Sequence, residues 1–341
     1  MNSFPNFKAT IPVAPDSSTG PTLRVHFVAL FSGKKDAVPI LLPHGWPGSF
    51  LEFLPILSLL REKYPDPAEL PYHLVVPSLP GYTLSDAPPL DRDFGLADVA
   101  AMLEHLMAEV LGFPEYVAQG GDVGSRVVRI LASTYPKCKA GLLNYSPVPA
   151  PDGFDMGRLT DAEQGGLERW EWFKSRGAAY ALLQGTRPAT LGLVLSSNPL
   201  ALLAWVAEKF LDWTDPASFP ADAELGDGTP YSRRLMGEAV LSASLYWLTG
   251  KAHTCLYSYR ETYSLGGAPP KSHASPEWTI RAPKKLGFSH FPFELAPVPR
   301  SWVAATGNLV FWKEHQKGGH FAALEQPQAL LQDLEEFVHR L

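Results

Sequence analysis

Short apolar runs rich in β-branched and aromatic residues, each bounded by Pro or Gly, recur through the first half of the chain at 23–31, 38–42, 73–76, 115–119 and 141–145. Runs of this length and make-up predict buried strands. Between them, apolar positions at helical spacing occupy 50–62, 96–111 and 125–135. This alternation predicts a mostly parallel sheet covered on both faces, with ligands at the carboxyl ends of its strands. From about 150 to 280 the pattern becomes helical and Trp-rich, as at 163–173, 200–211 and 233–248, and no strand rhythm survives. It returns at Trp302 and Val303, running to Gly307, and again at 309–312, before a loop and an amphipathic helix over 326–341. The reading is an α/β core built from 1–149 and 281–341, interrupted by a helical lid over 150–280.

Composition narrows the function classes. A net charge of -6 with no Lys/Arg block lacks the electrostatic footprint of a nucleic-acid binder. No apolar run reaches the roughly 18 residues a membrane span needs. Only Cys138 and Cys255 are present, without CxxC or a His/Cys cluster, so neither a disulfide framework nor a metal site is expected and a reducing compartment fits. The start, Met1 to Pro5, lacks a basic segment followed by an apolar one, so no signal peptide is read and the expected location is the cytosol. The 33 prolines point to many irregular connections between hydrophobic segments rather than to disorder.

The most informative segment is YVAQGGDVGS at 116–125, an apolar strand entering a Gly-rich turn that opens a helix. So sharp a turn leaves no room for Cβ atoms beside its central residue and projects that side chain into the cleft. Here the side chain is Asp122, a carboxylate able to attack a saturated carbon and form an alkyl ester, with an epoxide oxygen or a halide leaving. Alone, the motif reads about as readily as an ordinary turn with Asp122 capping the helix. Upstream, ILLPHGWPGS at 40–49 is a second strand ending in a Gly/Pro turn. Hydrolysing an ester on Asp122 requires two backbone N–H donors on one oxygen, and those of Trp46 and Val123 are the natural pair. Pro47 is a candidate for a cis bond in this loop. His44 reads as a structural histidine.

An ester also needs a base to activate water and a carboxylate to orient that base. His320, in GGHFAA just before the terminal helix, sits where the order nucleophile, acid, histidine places the base. Its rival His315 lies in the charged stretch KEHQK, which reads as solvated surface. For the acid, the window before His320 offers Glu294 and Glu314. Glu294, in FPFEL, is a carboxylate in an apolar setting that must find a partner, whereas Glu314 reads as surface charge.

Taken together, HGWPGSF at 44–50, GGDVGS at 120–125, PVPRSW at 297–302 and GGHFAALEQP at 318–327 resemble the microsomal-type epoxide hydrolase family of the α/β-hydrolase superfamily, its soluble fungal members above all. The likeness covers nearly the whole chain. It implies Asp122 as nucleophile, His320 as base and Glu294 as orienting acid, 26 residues before the histidine as in the fungal enzymes. Many relatives use Asp in the acid position, and Glu294 follows the mammalian microsomal branch. The family's two lid tyrosines, which hold the epoxide oxygen and protonate the leaving alkoxide, map to Tyr180 and Tyr259; Tyr257, Tyr246 and Tyr263 lie near enough to compete for the second role. Family members usually carry a long N-terminal segment, and this chain starts near its end, with NSFPNF at 2–7. That departure is expected to expose apolar surface, weaken lid packing or change oligomerisation.

The expected activity is conversion of an epoxide, preferably apolar or aromatic, to a vicinal diol, as in detoxification, with water as co-substrate. No metal or cofactor is needed, and a homodimer is the assembly considered. One rival is a haloalkane or haloacid dehalogenase, which uses the same Asp logic but stabilises halide with indole or amide N–H groups. Another is a non-catalytic ligand-binding or interaction protein on the same fold.

Overall fold

The computed structural model describes residues 3–13, 20–220, 232–263 and 271–341; Met1 and Asn2, where the N-terminal reading begins, lie outside them. One sheet runs in the order β1-β2-β4-β3-β5-β6-β7-β8. Its strands are β1 Asn6–Pro12, β2 Thr22–Leu30, β3 Val38–Leu41, β4 Tyr72–Pro77, β5 Tyr116–Gly120, β6 Cys138–Leu143, β7 Lys285–His290 and β8 Leu309–Glu314. β2 pairs antiparallel with both β1 and β4, and every pairing from β4 to β8 is parallel.

Parallel neighbours need crossovers, which helices supply. α1 Leu54–Lys63 follows β3, α2 Leu96–His105 precedes β5, and α3 Asp122–Thr134 joins β5 to β6. Between β6 and β7 come α4 Asp161–Trp172, α5 Ala179–Thr186, α6 Pro188–Ser197, α7 Pro199–Trp213 and α8 Arg233–Leu248. α9 Arg300–Ala304 precedes β8, and α10 Ala322–Glu325 and α11 Pro327–Val338 end the chain. β5 is buried at every position, so its sequence is a continuous apolar run rather than an alternation. One core cluster packs Leu103, Val127 and Leu131 beneath α2 and α3; a second packs Leu57, Leu334 and Phe337 beneath α1 and α11. This order of strands and helices is the α/β-hydrolase fold.

Two expectations need correction. Trp302 and Val303 are not strand but lie in α9, opened by Pro299, and the penultimate strand is Lys285–His290. Its sequence KLGFSH has only two large apolar residues, because Gly287 leaves room for the Phe337 ring, 2.8 Å from where a Cβ would stand. The edge strand β1 also went unread; most of its positions are exposed.

The helical block sits over the carboxyl ends of the strands. Ser242 Oγ and Tyr246 Oη donate to the carbonyls of Pro47 and Gly48 after β3, each at 2.6 Å. Thr254 Oγ1 donates to Gly81 O after β4 at 2.6 Å, and the Arg169 guanidinium donates to the carbonyls of Phe293 and Glu294 after β7. Among the described residues no single helix is long and apolar enough to cross a membrane; α6 and α7 reach that composition together but bend by 114°.

His315 does not belong to a solvated surface. Its ring stacks on Phe291 at 4.5 Å, and its Nε2 lies 2.6 Å from the fully buried carboxylate of Asp333 on α11. Asp333→Ala would leave a half-buried imidazole nitrogen unpaired, a loss of about 1–3 kcal/mol. Chemical denaturation is expected to show that loss, and unchanged stability would mean the pair does not anchor α11.

Candidate active site

The turn between β5 and α3 holds Asp122 at a φ of 45°, one of two non-glycine residues with positive φ among those described. Such a backbone costs a non-glycine residue energy and persists only where its surroundings impose it. The imposing contact is close packing of α3 on the loop after β3: a Cβ on Gly124 would come within 2.1 Å of Pro43 O. The Asp122 carboxylate therefore points into the cleft against Gly45, whose missing Cβ would fall 2.3 Å from Oδ1.

Two backbone amides hold that carboxylate. Trp46 N–H donates to Oδ1 at 2.8 Å, and the adjacent Val123 amide adds its favourable field, which helps lower the Asp122 pKa. The Trp46–Pro47 bond is cis. His44 is fully occupied: Nδ1 lies 2.8 Å from Gly45 O, and Nε2 accepts from Leu79 N–H at 3.1 Å. Burial pushes its pKa down to about 4, so it stays neutral, in keeping with a structural role.

His320 lies in the loop between β8 and α10. Its Nδ1 is 2.6 Å from Glu294 Oε1 and its Nε2 is 3.3 Å from Asp122 Oδ2. Glu294 stands four residues past the end of β7, is 2% exposed, and also accepts from Leu295 N–H at 2.6 Å. Glu314, its rival, is exposed at the end of β8 and accepts from the Trp312 indole. Burial alone would push the His320 imidazole down, but Glu294 and Asp122 on its two sides outweigh it and raise the pKa to about 10. For Asp122, burial acts upward and is outweighed by His320 and the two amides, so its pKa falls. The resting centre is thus an imidazolium between two carboxylates.

Tyr180 on α5 and Tyr259 in the 3-10 segment Thr254–Tyr263 face Asp122 from the helical block. Their hydroxyls are 3.4 Å apart, and the Tyr180 ring stacks on Trp46 at 5.1 Å. Burial first, then for Tyr180 the charge of Asp122 and for Tyr259 the neighbouring phenol and Asp122, lift both pKa values well above the usual range. Both remain protonated donors. The competing tyrosines lie elsewhere: Tyr246 donates to Gly48 O, Tyr263 packs beside Gly185, and Tyr257 borders the Pro80–Pro88 loop.

All five side chains singled out in the sequence, and both backbone amides, thus meet at one place. Sequence reasoning missed the groups that brace them. Glu325 accepts from the amides of Asp215, Gly319 and Phe321, fixing the His320 loop to the end of α7. Burial lifts its pKa to about 7 against those three donors. Arg169 lies across the Phe293 ring at 3.5 Å and clamps the Glu294 turn. Glu52, after the Trp46 loop, borders the same cleft as Asp122 and His320. Glu325 falls inside the GGHFAALEQP motif and was open to detection; Glu52 shows locally only the S-x-x-E spacing of a helix cap, and Arg169 carries no local pattern. Among the described residues no cluster of three His, Cys, Asp or Glu side chains is arranged to hold a metal ion.

Comparison with known proteins agrees with the geometry. Residues 1–53 match the family model for the epoxide hydrolase N terminus, and residues 38–165 match that for the alpha/beta hydrolase fold. The solved Aspergillus niger epoxide hydrolase shares 48% identity, covering 99% of this chain and 79% of that one, with a TM-score of 0.85. Epoxide hydrolase 1 of Sus scrofa is 32% identical over 99% of this chain and 75% of its own length. The juvenile hormone epoxide hydrolase of Bombyx mori, 26% identical, superposes with a TM-score of 0.79 over 99% of this chain and 79% of that one. The chain belongs to the epoxide hydrolase family.

Proposed function

We propose that this protein opens an apolar epoxide to a vicinal diol through a covalent ester on Asp122. The observation that carries the reading is the pair of protonated phenols, 3.4 Å apart, facing a carboxylate that two backbone amides already hold. Asp122 Oδ2 attacks an epoxide carbon, the carbon–oxygen bond breaks, and Tyr180 or Tyr259 donates its proton to the leaving oxygen. The helical block over 150–280 serves as the lid that brings those phenols to the ring, and Trp46 and Trp213 give the site apolar walls. The buried free thiols Cys138 and Cys255 fit a reducing setting such as the cytosol.

The second half-reaction follows from charge. Alkylation removes the negative charge of Asp122, one of the two that hold His320 protonated, so the imidazolium gives up its proton, by way of solvent, to the phenolate left by ring opening and becomes able to act as a base. It takes a proton from water as the water oxygen bonds to the ester carbon. The oxyanion forms on Oδ1 at the Trp46 and Val123 amides, and collapse expels the diol oxygen, which takes the proton back from His320; the remaining water proton, left on the Asp122 carboxyl, passes to His320 and restores the ion pair. Glu294 keeps the ring oriented throughout. A dehalogenase needs N–H donors for halide, whereas the two hydroxyl donors that face Asp122 here suit an oxygen.

Asp122→Ala is expected to abolish diol formation, and His320→Gln to accumulate an ester heavier than the protein by the full mass of the epoxide, since ring opening expels nothing. In heavy-oxygen water the wild-type label must enter Asp122 during a single turnover; a label that goes only to the diol over repeated turnovers overturns the covalent route. Tyr180→Phe and Tyr259→Phe are each expected to slow ester formation by about 10²-fold or more, in the range for loss of a positioned acid. Halide release from haloalkanes at comparable rates would favour the dehalogenase instead.

The ion pair is also testable without turnover. The folded pKa of His320, about 10, lies above the ~6.5 of an unfolded histidine. Its pairing therefore adds stability that is complete below about pH 6.5 and is lost as pH rises through about 10. Thermal midpoints should fall across that window, and by less in Asp122→Asn, which keeps only one carboxylate beside the ring. An equal slope in both proteins would mean that His320 and Asp122 are not coupled.

A further inference from the structure

Beside Asp122, the loop after β3, the end of β5 and the His320 loop border a cavity of about 20 Å³ that neither tyrosine lines. That is room for one water, provided polar partners surround it. They do: Asp122, His320, Glu52, Gln119 and Asn144 all border it, whereas Tyr180 and Tyr259 do not. Gln119 is 1% exposed; its Nε2 donates to Asn144 at 3.0 Å, while its Oε1 is buried without a partner. The His320 Nε2 stands 3.3 Å from Asp122 Oδ2 and makes no other polar contact.

Glu52 is the unexpected member. It sits on the 3-10 turn Phe50–Phe53, whose cap Ser49 Oγ accepts from Leu51 N–H, and its carboxyl is so close to Gly48 that a Cβ there would lie 1.2 Å from Oε1. Ser49 and Glu52 have the spacing of a capping box, which explains a carboxyl near the Ser49 amide but not one that borders the nucleophile. Burial lifts the Glu52 pKa to about 8; the charge of Asp122 adds to the lift, and that of His320 and the Ser49 amide oppose it.

We propose that this cavity seats the hydrolytic water and that Glu52, together with His320, holds the water against the ester carbon of Asp122. The proposal rests on the ester route argued above. Glu52 gains and loses no proton in the step: the water proton goes to His320 Nε2, and the water oxygen bonds to the Asp122 carboxyl carbon while Glu52 accepts a hydrogen bond. Substrate and water thus reach the same carboxyl group from different spaces.

The test separates the two half-reactions, by rapid-mixing tryptophan fluorescence and by mass spectrometry of acid-quenched enzyme, in Glu52→Leu, Glu52→Gln and Ala323→Val. Ala323→Val pushes a larger side chain into the cavity wall and leaves Glu52 intact. In Glu52→Leu and Ala323→Val, ester hydrolysis is expected to fall about tenfold or more with ester formation within about threefold of wild type, so that ester accumulates. Glu52→Gln, which preserves the cap and can still bond a water, is expected to lose less but in the same step. Unchanged hydrolysis in all three variants, or equal loss in both half-reactions, overturns the proposal and leaves Glu52 as a cap. Should Glu52→Leu fail to fold, the other two variants decide by the same comparison. Absence of ester from both wild type and His320→Gln would instead sink the Asp122 route itself, and this proposal with it.

Discussion

The structure depends on keeping a carboxylate ionised and reactive inside a largely dry interior. An unpaired buried charge would cost far more than a domain's net stability. Asp122 escapes that cost through three partners delivered by three connections: Trp46 N–H after β3, Val123 N–H at the head of α3, and His320 after β8. Each lies at the carboxyl end of a parallel strand, where the sheet places its loops side by side. The positive φ of Asp122 is the local consequence, since only that backbone aims the side chain at all three while α3 packs closely on Pro43. The imidazolium brings its own requirement, a second carboxylate, and Glu294 supplies it from the turn after β7.

How much of this could be read from the sequence follows from how local each part is. The Asp122 elbow and the Trp46 loop are contiguous motifs whose glycines record steric facts, so both were legible. His320 was legible because it follows the last strand in a Gly-rich loop. Glu294 was chosen from its apolar surroundings, although its strand had been misplaced. With Trp302 and Val303 read as strand, Glu294 seemed to precede the penultimate strand; in fact it follows β7, as a group serving a carboxyl-end site must. The error arose because Gly287 gives its space to Phe337 from α11, a tertiary exchange that removes the apolar run by which buried strands are recognised.

The tyrosines show the opposite case. Nothing in the local pattern separates Tyr259 from Tyr257 or Tyr263, and only the family resemblance selected it. The fold supplies the physical reason: in the 3-10 segment Thr254–Tyr263, Tyr259 is the tyrosine turned inward, edge-on to Trp46 at 5.8 Å and next to Tyr180. Arg169 was illegible for a related reason, and so were the bracing roles of Glu325 and Glu52, although each of these two falls in a local motif. Their partners lie 125, 110 and 70 residues away, at Glu294, Asp215 and Asp122, and charged residues on helices usually face solvent.

These bracing groups tie the helical block to the charge centre. Trp213, the last residue of α7, accepts the His320 N–H at 3.0 Å and presents its ring edge to the imidazole at 4.9 Å, while Asp215 accepts the Gly318 amide. Glu325 joins the same two segments from below. The block that carries Tyr180 is therefore bonded through the backbone to the loop that carries His320, so the proposed proton donor and base share one support. In the proposed scheme a displacement of α7 would disturb both half-reactions together, whereas a change at Glu52 would touch the hydrolytic side alone. Under the proposed mechanism, a water pocket that Tyr180 and Tyr259 do not line would let one carboxyl group serve first as nucleophile and then as electrophile without the two reactants competing for the same space.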